Sequence, residues 1–126
     1  PSNFPRLQAL YGGDEELFRE HVKGYFYSDE QTVKAIQAVQ PFGYTLDPHG
    51  AVGYLGLKDF MAENPGFAGV FLETAHPGKF RDVVEEALGE KLVLPERLAA
   101  FLQGEKQVIP MGKSFEEFKG FLERLD

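Results

Sequence analysis

The sequence predicts an α/β fold, with helices packed on a small, mostly parallel sheet that is incomplete on its own. Three observations predict it. Apolar residues recur at helical spacing in six or seven segments, most of them opened by a capping residue. Ala68-Gly69-Val70-Phe71-Leu72 is a short, nearly continuous apolar run bounded by turn signals, as suits a strand buried on both faces. Tyr44-Thr45-Leu46 and Gln107-Val108-Ile109-Pro110 read as two further extended pieces, the second an edge because proline cannot donate to a ladder. So few strands cannot be covered well by so many helices. Partner strands are therefore expected in sequence outside this chain or in another subunit.

The elements follow in order. Ser2 or Asn3 can cap a short helix with Pro5 in its first turn and Leu7, Leu10 and Tyr11 as its apolar stripe. Asp14 caps the next, where Glu15 and Glu16 suit the positive end of the helix dipole. Ser28-Asp29-Glu30-Gln31 is a capping box for a helix carrying Val33, Ile36 and Val39. Asp47-Pro48-His49-Gly50 leads into a helix over about 50–63. Gly50, Gly53 and Gly56 lie roughly on one face of it, each costing about 1 kcal/mol relative to alanine. Three such glycines imply close approach by a neighbouring backbone or a ligand. After the apolar run comes a helix with Phe80, Val83, Val84, Ala87 and Leu88, stopped by Gly89. Pro95 opens another with Leu98, Phe101 and Leu102. Ser114-Phe115-Glu116-Glu117 is a second capping box, starting a last helix with Phe118, Phe121, Leu122 and Leu125 inward.

Composition narrows the class. The chain has 126 residues, with 43% hydrophobic content, enough for one domain over 1–126 with a real core. Its net charge of −7 disfavours a nucleic-acid partner, which needs a basic footprint. There is no cysteine, which removes disulfides, thiolate nucleophiles and zinc–thiolate sites together. No apolar run approaches the roughly 20 residues that span a bilayer. The opening Pro1-Ser2-Asn3-Phe4 passes straight into a helix signal and reads as a chain entered in mid-fold.

Two segments carry chemistry: Asp47-Pro48-His49-Gly50-Ala51-Val52-Gly53, and Thr74-Ala75-His76-Pro77-Gly78-Lys79-Phe80 at the C-terminal end of the apolar run. Ligands of open α/β sheets sit outside such strand ends. A metal reading of Asp47, His49 and His76 is weak, because zinc sites need three or four clustered ligands at recognisable spacing.

These two segments, in this order and separation, resemble threonine synthases, enzymes of the fold-type-II pyridoxal phosphate class. Ser2-Asn3-Phe4 with Arg6-Leu7, and Ser28-Asp29-Glu30, add to the resemblance, which is clearest from Ser2 to Val84. The chain departs at Gly50, where the family commonly has a hydroxyl residue, and at Gly78, often alanine. The resemblance implies the C-terminal portion of an enzyme that converts O-phospho-L-homoserine and water to L-threonine and phosphate in the cytoplasm. Its cofactor, pyridoxal 5′-phosphate, is held by a Schiff-base lysine and a glycine-rich phosphate loop, both expected upstream of Ser2. The isolated chain is therefore expected to be inactive and to bind the cofactor poorly. By the same analogy Thr74 meets the pyridine nitrogen, and Asp47 and His49 stand on the substrate side. His76 and Lys79 are the catalytic candidates, for proton transfer and for the substrate phosphate. Ser2, Asn3 and Arg6 are candidates to line the substrate entrance.

Each residue also has a plain structural role open to it. Thr74, Ser2 and Asn3 can cap helices, Asp47-Pro48 can start a turn, and His49 can cap the following helix. His76 can hydrogen-bond backbone, and Lys79 can be an exposed first-turn lysine. The expected partners are the N-terminal part of the same enzyme and the phosphorylated substrate, with self-association through the incomplete sheet left open. Two other functions stay open: a threonine-synthase-like phospho-lyase with another substrate, and a non-catalytic partner-binding domain.

Overall fold

Local signals start most of the helices. The computed structural model describes residues 3–125. Asp14 accepts the backbone N–H of Leu17 at 2.9 Å and opens α2 (Glu15–His21). Ser28 opens α3 (Asp29–Val39) with both halves of its capping box in place, the Gln31 side chain returning to the Ser28 N–H at 2.9 Å. Asp47 opens α4 (Pro48–Glu63) by accepting the Gly50 N–H at 2.7 Å. α5 (Arg81–Leu88) follows a 3-10 turn over Pro77–Phe80 and ends at Gly89, whose φ of 68° is the left-handed stop glycine adopts without strain. α1 (Phe4–Leu10) has Asn3 at its N-cap, but the Asn3 side chain makes no capping bond there. Ser2, the other expected cap, lies outside the described residues.

The chain divides into two compact units, the first ending at Val93 and the second starting at Leu94. In the first unit α3 packs against both α4 and α5. Its core is Ala35 and Ile36 from α3, Leu46, Ala51 from α4, and Val84 and Ala87 from α5. Val33, Val39, Leu55, Phe71 and Leu88 pack half-buried around it. α1 and α2 meet through aromatic edges, with Phe4 and Tyr11 both set edge-on to Phe18. Leu10, expected in the α1 stripe, is 77% exposed.

The expected parallel sheet is not there. Among the described residues the regular elements are all helical. The stretch 68–72 lies outside any helix and has no ladder partner. Val70 is 88% exposed and Leu72 78%, so one side of the run is open while Phe71 packs inward. The stretches 44–46 and 107–110 pair with nothing either. The physical reason is that a ladder needs a second chain segment in register. The apolar pattern of 68–72 records what such a strand would bury and does not supply the neighbour.

The second unit holds α6 (Glu96–Leu102) and α7 (Phe115–Leu122). Ser114 accepts the Glu117 N–H at 3.4 Å, so one half of the second capping box forms. Neither helix buries a residue. Phe118, Leu122 and Leu125, expected inward, are exposed, and Phe121 is half-buried. The stripe is amphipathic, but among the described residues nothing within this unit covers it.

One buried charge fastens the end of α5. Glu85 is only 8% exposed. It accepts from Lys91 at 2.7 Å, from Arg81 at 2.9 Å and from the Leu92 N–H at 3.1 Å. The Lys91 hydrogen bond, aided by Arg81, outweighs burial and holds its carboxyl down to about 2. A depressed acid contributes stability that is present above its ordinary pKa and lost as the pH falls through the folded one. Glu85→Gln should therefore unfold several degrees below the parent protein at pH 7. The gap should close as the pH drops from 4.5 toward 2. Thermal melts of both proteins across that range check this, and a gap constant with pH would show the charge to be irrelevant.

Candidate functional site

The two segments singled out in the sequence meet in space. α4 begins at Asp47, and the apolar run ends at Glu73 beside it. The Asp47 N–H donates to Glu73 Oε1 at 2.8 Å. In the first turn of α4, the His49 ring lies 4.9 Å from the Phe80 ring at 54°. Two contacts 26 and 31 residues apart in sequence thus tie the N-terminus of α4 to the loop carrying Thr74, His76 and Lys79.

The glycines of α4 make this approach feasible. A side chain at Gly50 would overlap the Glu73 carboxylate, carbon and oxygens alike. At Gly56 a Cβ would press on the Tyr25 ring at 3.2 Å, and at Gly53 it would only touch Phe71 at 3.9 Å. Close approach was expected from backbone or ligand. Among the described residues it comes from side chains.

Asp47 is fully buried. Its Oδ1 is taken by the Gly50 N–H, and the exposed His49 places Nδ1 3.9 Å from the same oxygen. Asp47 Oδ2 and Glu73 Oε2 are both buried without a hydrogen-bond partner among the described residues. Burial pushes the Glu73 carboxyl above the usual carboxylate range. The Asp47 N–H pulls it down, the Asp47 carboxylate pushes it up again, and His49 pulls down.

The remaining candidates divide. Thr74 is exposed, and its hydroxyl makes no hydrogen bond among the described residues. The cap of the Pro77 turn is His76, whose Nδ1 accepts the Gly78 N–H at 3.0 Å. Thr74 is thereby free of the capping role its residue type suggests. Because Nδ1 is an acceptor here, a proton on this ring sits on Nε2. Lys79 is exposed, with no ion pair among the described residues. The two histidines open to different hollows. His49 lines one of about 320 Å³ with Tyr27, Asp29, Thr32, Pro48 and Val52. His76 lines one of about 510 Å³ with Tyr44, Thr45, Pro77 and Leu92 among others. Asn3 and Arg6 lie on α1, both exposed, and share neither hollow. Ser2 falls outside the described residues. No group of three or more His, Asp or Glu positioned for a metal forms among the described residues.

The family described as threonine synthase, C-terminal, matches residues 50–122. The chain belongs to that family. Threonine synthase of Escherichia coli is 44% identical over 100 residues, covering 79% of this chain and 22% of the relative. Threonine synthase of Haemophilus influenzae is 35% identical over 122 residues, covering 97% of this chain and 28% of the relative. Among solved structures, E. coli threonine synthase superposes with a TM-score of 0.78 at 34% identity, over 100% of this chain and 29% of that one. PLP-bound threonine synthase of Brucella melitensis gives 0.57 at 25% identity, over 98% and 32%. The chain thus spans about a fifth to a third of the length of the threonine synthases it matches.

Glu73 is the site residue that sequence reasoning passed over. It stands directly before Thr74, a charge at the end of an apolar run. Gly50, one of the three glycines of α4 that imply close approach, is the other half of the signal. Only the fold shows that the two belong together.

Proposed function

We propose that this chain works as the C-terminal portion of a cytoplasmic threonine synthase, converting O-phospho-L-homoserine and water to L-threonine and phosphate with the N-terminal part of the same enzyme. The observation that carries the reading is the Thr74 hydroxyl. It is exposed and has no hydrogen-bond partner among the described residues, on a loop pinned at Glu73 to the start of α4. A free, fixed hydroxyl of that kind fits a hydrogen bond to the pyridine nitrogen of pyridoxal 5′-phosphate. The cofactor, when bound, supplies an electron sink for carbanions. Thr74 is neutral, so it orients the ring without forcing protonation of its nitrogen as a carboxylate would. The cofactor's lysine and phosphate loop come, on the family resemblance, from the N-terminal part.

The other residues take roles that their geometry supports. His76 uses Nδ1 to hold its own loop and keeps Nε2 for a proton at the substrate. Lys79, exposed three residues beyond the His76 cap, offers a point charge to the substrate phosphate. His49 faces the substrate side, packed on Phe80. Asp47, fully buried, acts by positioning: it caps α4, the helix that carries His49 in its first turn. Ser2, Asn3 and Arg6 stay candidates for the substrate entrance on the family resemblance alone.

Substrate choice tests the reading. The polypeptide containing this chain and its upstream part should release phosphate from O-phospho-L-homoserine at least tenfold faster than from O-phospho-L-threonine at equal concentration. The opposite preference would assign it to a phospho-lyase with another phosphorylated amino acid as substrate.

A further inference from the structure

The Asp47–Glu73 contact has a feature that the proposed activity does not need in order to be stated. A helix interior ordinarily favours alanine over glycine by about 1 kcal/mol. Gly50 lies in the first turn of α4, buried, at an ordinary helical position. Nothing about its backbone calls for glycine. What fills the volume of a Cβ here is the Glu73 carboxylate, the end of a flexible side chain, which a larger residue would drive from its seat and from the Asp47 N–H. From that seat Glu73 Oε1 accepts the Asp47 N–H at 2.8 Å, one of the N-terminal groups that the helix itself leaves unsatisfied. The carboxylate is thus set across the start of α4, and the residue after it is Thr74.

We propose that Gly50 and Glu73 are a matched pair, and that Glu73 is a positioning residue which sets the Thr74 loop against the N-terminus of α4. The inference deepens the reading of Thr74 given above and rests on it for the catalytic consequence alone. Glu73 touches neither substrate nor cofactor in this account. It acts through Thr74, by fixing the distance between the Thr74 loop and the His49 turn. The second carboxylate oxygen, buried without a partner among the described residues, marks the cost of this seat. The upward push on the Glu73 carboxyl agrees with it.

The test uses the full-length polypeptide with pyridoxal 5′-phosphate and four variants: Gly50→Ala, Glu73→Ala, Glu73→Gln and the Gly50→Ala/Glu73→Ala double. Thermal melts read the pair. Gly50→Ala should lower the midpoint by several degrees when Glu73 is present, and should leave it unchanged or raise it in the Glu73→Ala background. Equal losses in both backgrounds would overturn the pair. Kinetics and the absorbance of the bound cofactor read the positioning. Glu73→Ala should lower kcat about tenfold, with KM changed less than twofold and the cofactor band shifted, since small misplacements near chemistry cost large factors. Glu73→Gln, which keeps the acceptor for the Asp47 N–H, should restore most of kcat. An altered melt with kcat and cofactor band unmoved in Glu73→Ala would overturn the positioning role. The melts do not depend on any substrate. Absence of turnover in the parent protein would therefore count against the proposed activity and leave the Gly50–Glu73 result readable.

Discussion

Replacing Ile36 by alanine should destabilise the protein by about 3–4 kcal/mol, the loss expected when a fully buried aliphatic side chain is cut back and its site collapses only in part. Ile36 is 0% exposed at the centre of α3, the helix that packs on both α4 and α5. Leu46, Ala51 and Val84, its companions in the core, are equally buried and come from three other segments. The core is small, so there is little else to share the loss. A control separates burial from hydrophobicity. Phe101 is larger but 81% exposed, and Phe101→Ala should fall within about 0.5 kcal/mol of the parent protein. Urea unfolding followed by circular dichroism measures both. A loss at Phe101 equal to that at Ile36 would mean that the second unit is packed in a way this structure does not contain.

Thr74→Val should lower kcat by about 10–100-fold, roughly 1.4–2.8 kcal/mol of transition-state stabilisation. The substitution keeps the shape and exchanges a hydroxyl for a methyl. The hydroxyl has no partner among the described residues, so stability should change by less than about 0.5 kcal/mol. A loss of turnover without a loss of stability is what a contact to an outside group requires. The bound cofactor should also show a shifted absorbance, because the hydrogen bond at its ring nitrogen is gone. Unchanged kcat and an unchanged band would remove Thr74 from the site. An unfolded variant would instead show that its hydroxyl is structural.

The parts of the fold written in short stretches of sequence were legible. Asp14, Ser28 and Ser114 cap helices as their residue types and spacings suggest, because a capping bond spans only three residues. Gly89 stops α5 for an equally local reason. The sheet was not legible, because the pattern of 68–72 describes one strand and a ladder is a property of two. The last helix shows the same limit. Its stripe of Phe118, Phe121 and Leu122 is real, but amphipathicity does not say what lies opposite. Within the candidate site, Asp47-Pro48-His49 and Thr74 to Lys79 stood out by residue type. That they touch depends on the 26-residue excursion between Asp47 and Glu73, which no local pattern encodes. The plain role open to Thr74, capping the Pro77 turn, is filled by His76, whose imidazole two residues back reaches the Gly78 N–H, the backbone hydrogen bond its residue type allows.

The central claim is that this chain, joined to its upstream part, makes threonine. The most direct measurement is the product itself: threonine and inorganic phosphate quantified together after incubating the full-length polypeptide, loaded with pyridoxal 5′-phosphate, with O-phospho-L-homoserine. The account predicts that both appear in equal amounts, and that both fall together in Thr74→Val. Phosphate without threonine, or neither product from a folded and cofactor-loaded polypeptide, would contradict it.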